Sequence, residues 1–121
     1  MTQAKELARL AYQAIDDKKG EDIRIINIQG VSVIADYFII ASGSNQNQIH
    51  SIADNIVEVL GRKGYDYRQI EGYQTANWVL LDYNDVIIHI FNQDDRLFYD
   101  LERIWSDGRL VSVESLNEED A

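Results

Sequence analysis

Two apolar runs held apart by only two residues constrain this chain more than anything else in it. Residues 78–83 (WVLLDY) and 86–91 (VIIHIF) are rich in β-branched and aromatic side chains, with Asn84-Asp85 between them. Such side chains suit the pleated, half-buried surface of a strand, and an Asn/Asp pair tolerates the positive φ of a tight turn. The pattern predicts a β-hairpin. Pairing Tyr83 with Val86 then sorts the side chains by the two-residue period of a strand. One face receives Val79, Leu81, Tyr83, Val86, Ile88 and Ile90. The other receives Trp78, Leu80, Asp82, Ile87, His89 and Phe91. Both faces are largely apolar, so both are expected to be covered. The second mixes Trp, His and Asp among its aliphatics, and that mixture needs a reason.

The rest of the chain supplies elements to build around the hairpin. Residues 3–18 place Leu7, Leu10, Ala11, Ala14 and Ile15 on one helical stripe, with Thr2 as N-cap and Gly20 as the stop. Residues 22–28 (DIRIINI) read as a strand, 29–35 as a loop, and 36–41 (DYFIIA) as a second strand ended by Ser42-Gly43-Ser44. Ser44 is expected to cap a helix over 45–62 that buries Ile49, Ile52, Ala53, Ile56, Val57 and Leu60 and stops at Gly64. A weaker strand over 65–70 precedes the hairpin. A last helix starts at Asp94-Asp95, where carboxylates suit a helix N-terminus, and runs to Trp105 with Leu97, Leu101 and Ile104 on its apolar stripe. This order predicts an α/β fold, a mixed β-sheet flanked by helices. One domain covers residues 1–108. Residues 109–121 form an acidic tail expected to be flexible, although 110–113 could add a short edge element.

Charge limits the partners. Eleven Lys and Arg stand against 21 Asp and Glu, a net charge of −10. That balance argues against a sequence-independent grip on phosphates and favours a basic partner. The absence of cysteine excludes disulfides, thiolate metal sites and a cysteine nucleophile. No secretory leader, presequence or long apolar run is visible, so a soluble, cytoplasmic protein is expected.

Catalysis finds little support. A Gly-Ser turn between strand and helix, as at Ser42-Gly43-Ser44, resembles the phosphate-binding turn of nucleotidyltransferases. Those enzymes need a pair of metal-binding carboxylates on the next strand. Residues 65–70 (YDYRQI) offer one acid and an arginine, and Asp82 and Asp85 do not share a face. His50 and His89 have no metal-ligand spacing. His89 reads as a packed, hydrogen-bonded strand histidine. No catalytic residue, metal or cofactor is assigned. A nucleotide-binding or nucleotidyltransferase enzyme using Gly43 and Ser44 is the alternative. The aromatics say more. Trp78 and Tyr83 begin and end one strand near Glu71, Asp82 and Asp85, an aromatic-plus-acid composition typical of a docking edge.

Several segments are familiar together and in this order: residues 17–20 (DKKG), Asp22-Ile23, residues 35–40 (ADYFII) with Ser42-Gly43-Ser44, and Ile52-Ala53-Asp54. They continue with Glu71-Gly72, residues 78–83 with Asp85-Val86, His89-Ile90-Phe91, and residues 96–105 (RLFYDLERIW). With them the sequence resembles the bacterial ribosomal silencing factors of the RsfS/YbeB/Iojap family. The resemblance implies a nucleotidyltransferase-like fold without catalytic residues. It implies docking on the large ribosomal subunit through its protein uL-fourteen, steric block of subunit association, and repression of translation when nutrients are scarce. It implies a homodimer when free, and no direct sequence-specific binding of nucleic acid. Glu71, Trp78, Tyr83, Asp85, His89 and Arg96 match family positions. With Asp82 added and His89 left as structural, the expected partner-binding set is Glu71, Trp78, Asp82, Tyr83, Asp85 and Arg96. One departure is the lack of the family's frequent arginine near Asn47, although Gln48 beside it is kept.

Overall fold

In the computed structural model, residues 3–31, 33–94, 96 and 109–111 are described. The expected Thr2 cap, the acidic tail beyond residue 111 and, apart from Asp94 and Arg96, the expected helix from Asp94-Asp95 to Trp105 lie outside them. The first helix, α1 (Gln3–Asp17), buries Leu7, Leu10, Ala11, Ala14 and Ile15 as its stripe requires, together with Ala4 and Ala8. Its stop differs in detail from the expectation. Lys19 takes the left-handed conformation at φ 64°, and the Gly20 N–H donates to the Ile15 carbonyl at 2.9 Å. Gly20 is needed for space instead, because a Cβ there would fall on the Ile15 side chain.

Strands β1 (Glu21–Asn27) and β2 (Tyr37–Gly43) follow, then helix α2 (Gln46–Arg62). Asn45, not Ser44, caps α2: its side chain accepts the Gln48 N–H at 2.8 Å. Asn and Ser are equally good caps, so composition alone could not choose between neighbours. Ser44 is taken up by Gln48, whose Oε1 accepts its N–H at 2.6 Å and its hydroxyl at 2.9 Å. The Gln48 amide nitrogen donates in turn to the Lys18 and Lys19 carbonyls, at 3.2 and 2.9 Å. One glutamine thus fastens the end of α1 to the start of α2. Gly64, at φ 85°, ends α2 as expected.

Strands β3 (Gln69–Glu71), β4 (Trp78–Asp82), β5 (Val86–Asn92) and β6 (Arg109–Val111) complete a six-stranded sheet in the order β3-β4-β5-β2-β1-β6. Residues 109–111, placed by sequence at the start of the tail with a short edge element possible over 110–113, join the sheet along β1 as its edge strand. The central pair β2–β5 is parallel and every other pair is antiparallel. The sheet is mixed, as expected. The β4–β5 register runs from Trp78↔Phe91 to Asp82↔Ile87, and the Tyr83 N–H donates to the Val86 carbonyl at 3.0 Å. That is the hairpin the sequence predicts. Asn84 alone in its turn takes positive φ, 70°.

Both helices pack on one face of the sheet, against Tyr37, Ile39, Ala41, Val79, Leu81, Tyr83, Val86, Ile88 and Ile90. The other face buries Ile26, Phe38, Ile40, Ile87 and Phe91, with Trp78 and Leu80 only partly covered beside them. The site lies at that margin.

Candidate docking edge

Strand pairing assembles the edge. In the β3–β4 register Gln69 lies opposite Asp82 and Glu71 opposite Leu80. Directly opposed residues share a face, so Glu71, Trp78, Leu80 and Asp82 all project from the side of the sheet away from α1 and α2. Glu71 is exposed, and Trp78, Leu80 and Asp82 are partly buried.

Trp78 is held from two directions. Its ring stacks on Phe91, its cross-strand partner, with centroids 5.0 Å apart and planes 26° apart. Its Nε1–H donates to Nδ1 of His89 at 3.0 Å. His89 sits opposite Leu80 on β5, is 4% exposed and makes an edge contact with Phe38 at 5.1 Å. Accepting on Nδ1 means that the imidazole is neutral and carries its proton on Nε2. Burial pushes its pKa down to about 4, which keeps that neutral form at ordinary pH. The mixture of Trp and His on this face has its explanation here. The histidine is packed and hydrogen-bonded, and its partner is the indole.

The loop before Trp78 is fixed as firmly. Gly72 takes φ 77° at the turn out of β3, and a Cβ there would fall on the Trp78 carbonyl oxygen. Tyr73 stacks on His50 with centroids 4.5 Å apart, and its hydroxyl donates to Asp54 at 2.8 Å. That bond to an acceptor raises the Tyr73 pKa. Gln46 donates to the Thr75 carbonyl at 2.9 Å. Helix α2 thereby anchors the segment that delivers the tryptophan.

The other expected contact residues fall elsewhere. The Asp82 carboxylate accepts the Asn84 N–H at 2.8 Å and stands 3.9 Å from Arg68 Nε, so it braces the hairpin turn while remaining on the edge face. Tyr83 was expected as an exposed anchor, but it is 4% exposed and belongs to the helix-side core. Strand alternation turns it away from Trp78, and burial, followed by the nearby Tyr67 and Asp66, raises its hydroxyl pKa. Asp85 is exposed at the hairpin tip, and its carbonyl accepts the Asp36 and Tyr37 N–H groups at 2.7 and 3.1 Å. Arg96, 7% exposed, is over β2 and β1, where it donates to Ser42 Oγ at 2.9 Å and lies 3.7 Å from Asp22. It borders a cleft of about 220 Å³ with Glu21, Asp22 and Gln93, away from the edge.

The Gly43-Ser44 turn opens on a cleft of about 310 Å³. The strand beside β2 there is β5, not residues 65–70, and it places Asn92 opposite Gly43. Asn92 donates to Asn77 Oδ1 at 3.1 Å. Among the described residues Asp94 is the one carboxylate lining that cleft. No group of three or more His, Cys, Asp or Glu suited to a metal occurs among the described residues. No described helix is long and apolar enough to cross a membrane.

A family model described as "ribosomal silencing factor during starvation" matches residues 1–121. The chain belongs to the ribosomal silencing factor family. The silencing factor RsfS of Halalkalibacterium halodurans is 40% identical over 112 residues, 93% of this chain and 96% of that one. A crystal structure of a Chromobacterium violaceum protein superposes with a TM-score of 0.85 at 30% identity, covering 92% of each chain. A mouse protein named for mitochondrial assembly of the ribosomal large subunit is 27% identical over 92 residues, 74% of this chain and 40% of its own length. In this silencing factor the sheet gathers Glu71, Trp78 and Asp82 on one surface. Tyr83, Asp85 and Arg96 are placed in the core, at the hairpin tip and over the far strands. The family is named for silencing ribosomes and not for an enzymatic activity.

Proposed function

We propose that this protein docks on the large ribosomal subunit through the protein uL-fourteen and sterically blocks joining of the small subunit, so repressing translation when nutrients are scarce. It acts in the cytoplasm without catalysis, and the free protein is a homodimer. The observation that carries the reading is Trp78, a partly buried aromatic held rigidly on a sheet edge beside Glu71 and Asp82. Rigid aromatic anchors in a polar surround concentrate binding energy. A chain of net charge −10 suits a basic ribosomal protein and is repelled by the surrounding RNA. Asp85 adds charge at the hairpin tip, Tyr83 packs behind the edge in the helix-side core, and Arg96 lies over β1 and β2, away from the edge.

Purified ribosomal subunits mixed with saturating protein and sedimented at moderate Mg²⁺ are expected to stay apart. Normal joining would refute the reading. Trp78→Ala is expected to leave a folded protein whose affinity for the large subunit falls by about 2 kcal/mol, roughly 30-fold. Affinity is also expected to weaken as salt rises, because exposed charges contribute attraction that ions screen. An affinity indifferent to salt would remove the electrostatic part of the proposal.

A further inference from the structure

Val33 is fully exposed, and Val31, Tyr67 and Leu110 are exposed with it. Strand register gathers these four side chains at one end of the sheet. The last row there runs through Arg109, Asn27, Tyr37 and Val86, across β6, β1, β2 and β5, and the hairpin tip closes it. Leu110 lies one row inside, opposite Ile26. Tyr67 precedes Arg68, whose N–H donates to the Asp82 carbonyl at 2.7 Å beside the tip. Val31 and Val33 belong to the β1–β2 loop, beyond the last row. From β6 to β3 the strip crosses five strand spacings, about 24 Å. Apolar side chains scattered singly over a surface mean little, whereas a row of them marks a site of interaction.

The loop is pinned at both ends. The Ile28 N–H donates to the Asp36 carbonyl at 2.9 Å, and Ile28 and Ala35 are buried on the face away from the helices. Between them the Val31 N–H closes a turn on the Ile28 carbonyl at 3.0 Å, with Gly30 at φ 78°. The Asp85 carbonyl accepts the Asp36 and Tyr37 N–H groups, which ties the loop to the hairpin tip. Residues 27–35 carry no charge. Around them Asp36, Asp66, Asp82 and Asp85 outnumber Arg68 and Arg109, and Arg68 stands 3.9 Å from Asp82. A second copy of the chain would set the same acids against each other. A basic protein surface meets the same strip with complementary charge. The strip is also continuous with the docking edge, since Asp82 lies on the same strand and face as Trp78 and Asp85 follows at the tip.

We infer that the β1–β2 loop is a second docking element: Val31 and Val33 seat on an apolar patch of the same basic ribosomal protein that the Trp78 edge engages, while Asp82 and Asp85 face that patch's basic rim. The inference rests on the docking proposed above.

Binding to purified large subunits tests it. Val33→Ser should bind about fivefold more weakly than native and the double variant Val31→Ser/Val33→Ser about twentyfold, the effect of apolar groups no longer buried in the complex. Val33→Ile keeps the apolar contact and should bind within about twofold of native. Both valines lie outside the core, so all three variants should melt with the native protein. A clearly lower melting temperature would mean that the loop supports the fold, and overturns the inference. In the native protein, amide hydrogen exchange over residues 29–34 should slow when large subunits are added, and unchanged exchange there overturns the inference without any variant. Native affinity of the double variant, with Trp78→Ala impaired, overturns this inference and leaves the docking edge standing. Native affinity together with a dimer converted to monomer in sedimentation would mean that the loop joins two copies of the chain, and overturns it equally. Native protein that fails to bind the large subunit would overturn the proposed docking and this inference with it.

Discussion

Gly72→Ala is expected to destabilise the protein by about 3 kcal/mol or more, with the damage centred on the docking edge. Two separate costs meet at this position. Gly72 sits at φ 77°, and a left-handed conformation costs an L-residue with a Cβ about 1–2 kcal/mol. The added methyl would also fall on the Trp78 carbonyl oxygen, with Val79 Cα close behind it. Those atoms are backbone at the start of a paired strand, so they yield only if Trp78 moves off its Phe91 partner. Forced overpacking of this kind adds about 1–3 kcal/mol. Gly64 provides the control. It has a similar φ of 85°, yet nothing lies within 4 Å of its missing Cβ, so Gly64→Ala bears the conformational cost alone. In urea unfolding the Gly72→Ala midpoint should shift at least twice as far as that of Gly64→Ala. Equal shifts would show that the contact with Trp78 carries no energy.

Much of this architecture could be read from side-chain order because it depends on local periodicity. The hairpin register follows once Asn84-Asp85 is taken as the turn, and the register dictates that Val79, Leu81 and Ile88 face the helices while Trp78, Leu80 and His89 do not. Periodicity also places Tyr83 opposite Trp78 in facing. What it does not carry is which face ends in solvent, so the position of Tyr83 at a strand end suggests exposure although the helices bury it. The neighbour of β2 was illegible for a related reason. Parallel pairing of β2 with β5 spans α2, β3 and β4, and nothing local in residues 37–43 names a partner so far along the chain. The strand that flanks the amide-lined cleft at Gly43 is accordingly β5, and residues 65–70 do not reach it. Arg96 belongs to the same class. Its attachment to Ser42 and Asp22 joins segments remote in sequence, and an arginine is normally assigned to the surface until its partners are seen. The bond between Trp78 and His89 left a partial signal, two polar-tipped rings on one face of a hairpin, one residue pair apart.

Acid is expected to expose that bond as the weak point of the fold. In the unfolded chain His89 takes up a proton near its ordinary pKa of about 6.5. In the native state burial among apolar rings holds the pKa to about 4. Between those values the unfolded state binds more protons, so native stability falls as pH falls. Above pH 6.5 both states are neutral and His89 contributes no pH dependence. From there to pH 4 the loss is about 1.4 kcal/mol per unit, or about 3 kcal/mol in all. Many carboxylates titrate in the lower part of the same range, so the quantity to measure is a difference. Urea unfolding free energies of the native protein and of His89→Leu, taken at half-unit steps from pH 7.5 to 4, should diverge below pH 6.5, with the native protein losing stability faster. A difference constant across that window would mean that His89 is protonated without penalty in the fold. Protonation of the native imidazole, near pH 4, also fills Nδ1 with a hydrogen, so the Trp78 N–H loses its acceptor at the lower end of that window. Release of the indole should therefore lag the fall in stability: the loss begins below pH 6.5, whereas the native imidazole takes up its proton, and the indole is freed, only as the pH approaches 4.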